Sequence, residues 1–299
     1  MVHSSFSLPK PLLAQFETQA GVKLSIIKGG DAGEMLNKLI LTRSNPVADV
    51  VFGIDNALIA KAQAAGVLDS TPAPAITTGT ATALSLGPLA VAVDYGYVNL
   101  NYDRAAVAKS GQALPRTLED LTQPAYRNWL VVQNAATSSP GYAFLLATVA
   151  GMGQEKAFDW WARMRANGLK VAKGWSEAYY TDFSRNGGKY PLVVSYATSP
   201  AAEVFYSKDK LTEPPTGSLN LKGGGQREVA NQFVAFLRSA PVQTALQTSM
   251  WMYPADTATA RAEVMRHAPE PSAFDALPVE QIADKGATWV SRWTQVVLK

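Results

Sequence analysis

The segment Leu89–Tyr102 (LAVAVDYGYVNLNY) is the longest strand-like run in the chain, long enough to cross between two lobes. Around it, short apolar runs of strand type alternate with segments whose apolar residues recur at helical spacing. That alternation is the pattern of an α/β protein. A chain of 299 residues holds one large domain or two of about 150 residues each.

Ala48–Gly53 (ADVVFG) reads as a short strand. Before it, Gly33–Leu41 carries Met35, Leu36, Leu39 and Ile40 on one helical face. After it, a helix is predicted over 54–65, opening at Asp55-Asn56, which are good capping residues. A strand, a loop with an acid and a helix, in that order, put the acid where open α/β sheets bind ligands. Thr117 with Asp120 has the capping-box pattern. Trp129–Gln133 reads as a buried strand, followed by the turn Thr137–Gly141 (TSSPG) and a helix over 142–150 ended by Gly151. Leu169–Ala172 and Leu192–Tyr196 are further strands, and Ser195–Pro200 (SYATSP) leads from the second into a helix. Residues 213–225, rich in Pro and Gly, read as a connection. Val229, Phe233, Phe236 and Leu237 mark an amphipathic helix, and Pro241 starts another that carries Val242 and Leu246.

Apolar content of 47% and charged content of 17% describe an ordinary globular protein with a sizeable core. The net charge is +3, and the basic residues are scattered, so neither nucleic acid nor a membrane surface is an expected partner. With no cysteine, disulfides and thiolate metal sites are excluded. His3 and His267 have no metal-ligand spacing. No stretch approaches the ~18 apolar residues of a membrane span. Residues 1–12 lack the long apolar core of a signal peptide, so the chain reads as a mature form.

Trp175 (in KGWSEAYY), Tyr196, Trp251 and Tyr253 (in WMYP) stand at element ends beside turn-forming residues. Rings placed there either pack under loops or line a groove, and a ring facing a desolvated cation contributes roughly 2 kcal/mol. Asp31 and Asp55 precede helices, where an Asp either caps the helix or faces a cationic ligand. The TSSPG turn offers hydroxyls and free N–H groups at a helix start, which suit capping or an oxyanion equally. Gly174–Ala178 (GWSEA) approaches a nucleophile elbow, with Asp256 and His267 following in the order of a hydrolase triad around Ser176; the final Gly is missing. The pair Tyr179-Tyr180 is similar to the tyrosine pair of ferric-iron-binding periplasmic proteins, although one core ring and one surface ring would explain it as well.

These segments carry a family pattern. Gly29–Gly33 (GGDAG), Ala48–Asn56 (ADVVFGIDN), Val93–Tyr97 (VDYGY), TSSPG, KGWSEAY, SYATSP and WMYP resemble, in order and over most of the chain, the thiamine-binding periplasmic proteins of bacterial ABC importers. The resemblance implies a type II periplasmic binding protein fold: two α/β lobes joined by crossing strands, with the ligand in the cleft. It implies a first lobe of residues 1–92 and 219–299 and a second of 93–218. Trp175, Tyr196 and Trp251 then resemble the rings that sandwich the ligand. Asp31 corresponds to the acid that meets the aminopyrimidine, Asp55 to the acid of the GxDN turn, and Ser138 and Ser139 to the hydroxyls near the hydroxyethyl or phosphate end.

The function so implied is a non-enzymatic, monomeric, periplasmic receptor. It would capture thiamine, thiamine monophosphate or thiamine diphosphate for a membrane permease and use no cofactor. A ferric-iron receptor using Tyr179 and Tyr180 and a serine hydrolase using Ser176, Asp256 and His267 are the alternatives. The chain departs from the family pattern at Met1–Phe6 (MVHSSF), where a full strand would stand, and at 213–225, where the strand returning to the first lobe is nearly absent. Ala202 replaces a tyrosine usual six residues past Tyr196. The first lobe is therefore expected to have unpaired sheet edges.

Overall fold

The computed structural model describes residues 1–68, 86, 89–207, 216–219, 226–227 and 236–299. In chain order the elements up to the second unit are α1 (Lys10–Ala20), α2 (Ala32–Leu41), α3 (Ile59–Ala64) and β1 (Asp94–Gly96). There follow β2 (Val98–Asp103), α4 (Arg104–Ser110), β3 (Leu130–Gln133), α5 (Ser139–Met152), α6 (Gln154–Ala166) and β4 (Lys170–Ala172). A helical turn, Trp175–Glu177, continues as a π-helix over Ala178–Asp182. The rest comprises β5 (Leu192–Tyr196), α7 (Ser199–Phe205), β6 (Thr216–Leu219), β7 (Gln226–Arg227), α8 (Ala240–Ser249), β8 (Tyr253–Pro254) and α9 (Val279–Trp293). Two compact units result: Met1–Gly96 with Gln226–Met265, and Tyr97–Gly225 with Arg266–Lys299.

The chain passes from the first unit to the second inside the Leu89–Tyr102 run, as the length of that run predicts. In the first unit β1 is the middle strand of a three-stranded antiparallel sheet, order β7-β1-β8. In the second, β2 lies antiparallel between β5 and β6 in a sheet ordered β4-β3-β5-β2-β6, where β3 runs parallel to β4 and β5. The chain returns through two short strands, β6 on β2 and β7 on β1, where the sequence pattern shows only a connection. Thr216–Leu219 (TGSL) has too little apolar alternation to announce a strand, and its backbone pairing supplies what its side chains do not. The helix expected around Val229 and Phe233 lies outside the described residues, apart from Phe236 and Leu237.

The first unit's core gathers Val2, Phe6, Leu8, Phe52, Val93, Leu237, Val242 and Leu246. The opening residues thread between two loops: Val2 bridges both Lys28 and Phe52. Among the described residues the expected strand Ala48–Gly53 makes one bridge, at Phe52, flanked by backbone bonds to Met1 and His3, because an apolar run needs a neighbouring backbone before it becomes a strand. The segment before Lys28 leaves Val22, Ile26 and Ile27 exposed, while the Ile27 carbonyl accepts from Val2 N–H. The helix expected over 54–65 begins only at Ile59, after turns capped by Asp55.

In the second unit α5 is buried from Pro140 to Val149. It reaches Met152, past the expected stop at Gly151, and Gly153 closes it. A seam of four fully buried tryptophans, Trp160, Trp161, Trp289 and Trp293, joins α6 to α9. Trp161 meets Trp160 at 5.0 Å and Trp293 at 5.7 Å between ring centroids, both edge to face. Trp289 Nε1 donates to Gln154 Oε1 at 2.7 Å, and Arg292 grips Glu155. This seam corrects the expected lobe boundaries: Arg266–Lys299 belongs to the second unit, not to a first lobe running through 219–299. An amphipathic pattern shows that α9 buries a face but not against which partner. Trp293→Ala should cost about 3–5 kcal/mol, read as an earlier denaturant midpoint of the transition that reports the second unit.

Candidate functional site

In the second unit the candidate residues collect at the carboxyl ends of β3 and β5, where α/β sheets hold ligands. Ser138 caps α5 with extended backbone, and Ser139 is the first residue of that helix. The turn is tied to the next crossover: Thr137 Oγ1 donates to the Lys173 carbonyl at 2.9 Å, and Asn134 N–H to the Ala172 carbonyl at 2.9 Å. Gly141 is dictated by close approach, since a Cβ there would lie 2.6 Å from the Gln133 carbonyl oxygen. The Ser138 side chain is 1% exposed, yet its Oγ has no hydrogen-bond partner. A buried hydroxyl left unpaired beside the positive end of a long helix is costly without a ligand or water to meet it.

Trp175 opens the helical turn after β4 and is half-buried. Its Nε1 donates to Ser195 Oγ at 2.8 Å, one residue before Tyr196, which ends β5. Asn101 Nδ2 donates to the Tyr196 carbonyl at 3.2 Å and to Asn99 Oδ1 at 2.9 Å. Asn99 stands opposite Ser195, so Ser195, Asn99 and Asn101 form a buried polar row on one face of the sheet. Asn101 Oδ1, Gln133 Oε1 and Thr198 Oγ1 are buried without partners, as Ser138 Oγ is. The structure thus brings Ser138, Ser139, Trp175 and Tyr196 to one end of one sheet. It adds Asn99, Asn101, Gln133, Ser195 and Thr198, which the sequence reading passed over. For Asn99, Asn101 and Gln133 the signal was legible as polar residues interrupting the apolar runs VNLNY and LVVQ.

In the first unit Asp31 caps α2, its carboxylate accepting from Ala32 N–H at 2.8 Å. Asp55 is 3% exposed, and its Oδ1 accepts from Ala57 and Leu58 N–H at 3.0 and 2.9 Å. Capping therefore accounts for part of each acid's environment. Residues 1–6 lie between these two loops: Ser4 N–H donates to the Gly30 carbonyl and His3 N–H to that of Phe52. His3 stacks on Phe52 at 5.5 Å, and Ser5 N–H donates to its Nδ1.

Trp251 follows α8 with φ +59°, and its N–H donates to the Leu246 carbonyl at 3.0 Å. That left-handed position after a helix ordinarily goes to glycine, and a bulky residue held there stores strain of about 1–3 kcal/mol. Tyr253, by contrast, is a core ring, packed at 5.2 Å on Tyr95 with the Arg261 guanidinium 4.7 Å above it.

Two groups of this unit titrate away from their usual ranges. Burial lowers His3 to about 4 despite the nearby Asp31 charge, and burial raises Asp94 to about 7.

Neither alternative chemistry is assembled. Tyr179 donates its hydroxyl to Glu203 at 3.0 Å, Tyr180 is 59% exposed, and among the described residues no three His, Cys, Asp or Glu side chains form a metal cluster. Of the triad residues, Asp256 belongs to the first unit and spends its carboxylate on Ala258 N–H and the Thr259 hydroxyl. Ser176 is exposed, and His267 Nε2 is buried with no partner, so it activates no nucleophile. No helix among the described residues is long and apolar enough to cross a membrane.

Residues 45–285 match the family described as bacterial extracellular solute-binding protein. The chain belongs to that family. It is 29% identical over 301 residues to a thiamine-binding periplasmic protein of Escherichia coli strain K12, covering 97% of this chain and 89% of the relative. A solved periplasmic thiamin binding protein superposes with a TM-score of 0.83 at 26% identity, over 99% of this chain and 94% of that one. A ferric binding protein from Campylobacter jejuni superposes with a TM-score of 0.75 at 18% identity, over 99% and 98%, and shares the fold. The family and these relatives are solute-binding proteins, and the fold is that of the periplasmic binding proteins.

His3 and Asp94 make opposing contributions to stability as pH changes. Their ordinary values are 6.5 and 3.8. The His3 contribution is full above 6.5 and is lost as pH falls through about 4, whereas that of Asp94 is full below 3.8 and is lost as pH rises through about 7. Between about 4 and 6.5, unfolding takes up one proton and releases another, so these two groups together give a nearly flat profile. Asp94→Asn should unmask His3, with about 3 kcal/mol lost on acidification across that window, and His3→Phe should reverse the slope. Denaturant midpoints measured at stepped pH check both signs.

Proposed function

We propose that this protein is the periplasmic receptor of an ABC importer, capturing thiamine or its phosphates and delivering them to a membrane permease. It acts as a monomer, without catalysis and without a cofactor. Thiamine is a flat, permanently charged thiazolium joined to an aminopyrimidine, so its recognition calls for aromatic faces, carboxylates and, for the phosphates, an oxyanion site. The observation that carries the reading is Trp175: a half-buried indole at a sheet's carboxyl end, pinned through its Nε1 to Ser195. The names of the relatives supply the ligand class to which such a ring is suited.

Within this reading, Trp175, Tyr196 and Trp251 give the aromatic faces, and Asp31 and Asp55 the carboxylates. Ser138 and Ser139 meet the hydroxyethyl or phosphate end at the start of α5. Bound ligand favours whichever conformation grips it more tightly, and that conformation is the one a permease reads.

Titration calorimetry of ligand-stripped protein with thiamine, thiamine monophosphate and thiamine diphosphate tests this directly. Submicromolar binding of at least one of them is expected. Trp175→Ala should weaken it about 30-fold, the worth of one desolvated cation–π contact. No heat with any of the three ligands would overturn the reading. Ser138→Ala should leave thiamine affinity within about twofold while weakening the phosphorylated forms about tenfold; equal loss for all three would remove the phosphate role from Ser138.

A further inference from the structure

The support behind Trp175 is built as carefully as the ring itself. Tyr179, four residues on and so on the same helical face, lies almost parallel to the indole, with ring centroids 4.9 Å apart and an interplanar angle of 18°. Tyr180 meets the indole edge-on at 5.3 Å and 84°. Tyr179 is itself immobilised. It is buried, it packs on Phe183 at 5.4 Å, and its hydroxyl donates to Glu203 Oε1 at 3.0 Å. Glu203 in turn is ion-paired with Arg185 at 3.4 Å. On the other side, the Ser195 hydroxyl that accepts from the indole is fully buried and lies 2.8 Å from the Ser199 hydroxyl. The indole therefore has one face covered by a phenol and its N–H fixed.

We propose that Tyr179 is a positioning residue for capture, a backing ring that holds Trp175 in the orientation onto which a flat aromatic cation stacks. The inference rests on the receptor reading above. A half-buried indole without a backing would turn about its side-chain torsions, and that freedom would be lost again on binding; a fixed platform avoids the loss. The π-helical turn that carries Tyr179 fits this role, since such local distortions concentrate at functional sites. It also gives the tyrosine pair a use other than metal ligation, because the phenol is already committed to a carboxylate.

A double-mutant cycle with thiamine as the probe tests the role. Tyr179→Leu should weaken binding about tenfold in the otherwise native protein and less than about twofold in a Trp175→Ala background. Tyr179→Phe, which keeps the stack and loses the hydroxyl, should remain within about twofold of native. Should the leucine variant fail to fold, Tyr179→Met, an adaptable ring-less side chain that fills irregular gaps, carries the same cycle. Native-like affinity of the ring-less variant, or equal losses in both backgrounds, would overturn the positioning role while leaving the receptor reading intact. If the native protein itself binds no thiamine, the receptor reading fails and the role inferred for Tyr179 falls with it.

Discussion

The run Asp94–Asp103 is hydrogen-bonded along both edges, in one sheet through β1 and in another through β2. A strand with neighbours on both sides has its backbone groups spoken for, and β2 is buried at every residue except Tyr102. Polar residues there are costly unless they find partners. Asn101 gives its amide to Asn99 Oδ1 and to the carbonyl of Tyr196, while its own Oδ1 stays unmatched. The crossing run thereby fixes the end of β5, the end of β5 presents Ser195, and Ser195 holds Trp175. The orientation of the candidate recognition ring thus descends, link by link, from β2, the part of the run that lies in the second unit.

Much of this was legible in the residues, and what was not has definite causes. Trp129–Gln133 and Leu192–Tyr196 could be placed because branched apolar residues bounded by turns have few other options. Ala48–Gly53 is just as apolar, but among the described residues it pairs with no more than the short run Met1–His3, and pairing is a property of two segments. Thr216–Leu219 became a strand through the free edge of β2, with nothing in its side chains to announce it. The placement of α9 was hidden for a related reason: periodicity reveals a buried face, whereas the tryptophans of α6 decide what that face meets. At the site, the two Asp residues show a limit of pattern reading, since a helix cap and a cation partner use the same residue in the same place.

The tyrosine pair illustrates how one scaffold serves different chemistries. Ferric binding proteins share this fold at low identity, and a fold by itself assigns no ligand. Here the first tyrosine lies under an indole and gives its hydroxyl to Glu203, and the second stands exposed at the edge. The same two-residue motif is thus absorbed into the mounting of a ring, a distinction that depends on Trp175 standing one helical turn earlier in the chain.

The left-handed backbone at Trp251 has a consequence for how such a protein would respond to selection. Glycine is the residue best suited to that conformation, so the change that most relaxes the backbone is also the one that deletes the ring. Laboratory evolution towards heat resistance would find a stabilising step at this codon and, under the proposed function, lose part of its grip on the cargo. Under the proposed function, uptake and durability therefore pull in opposite directions at this single position.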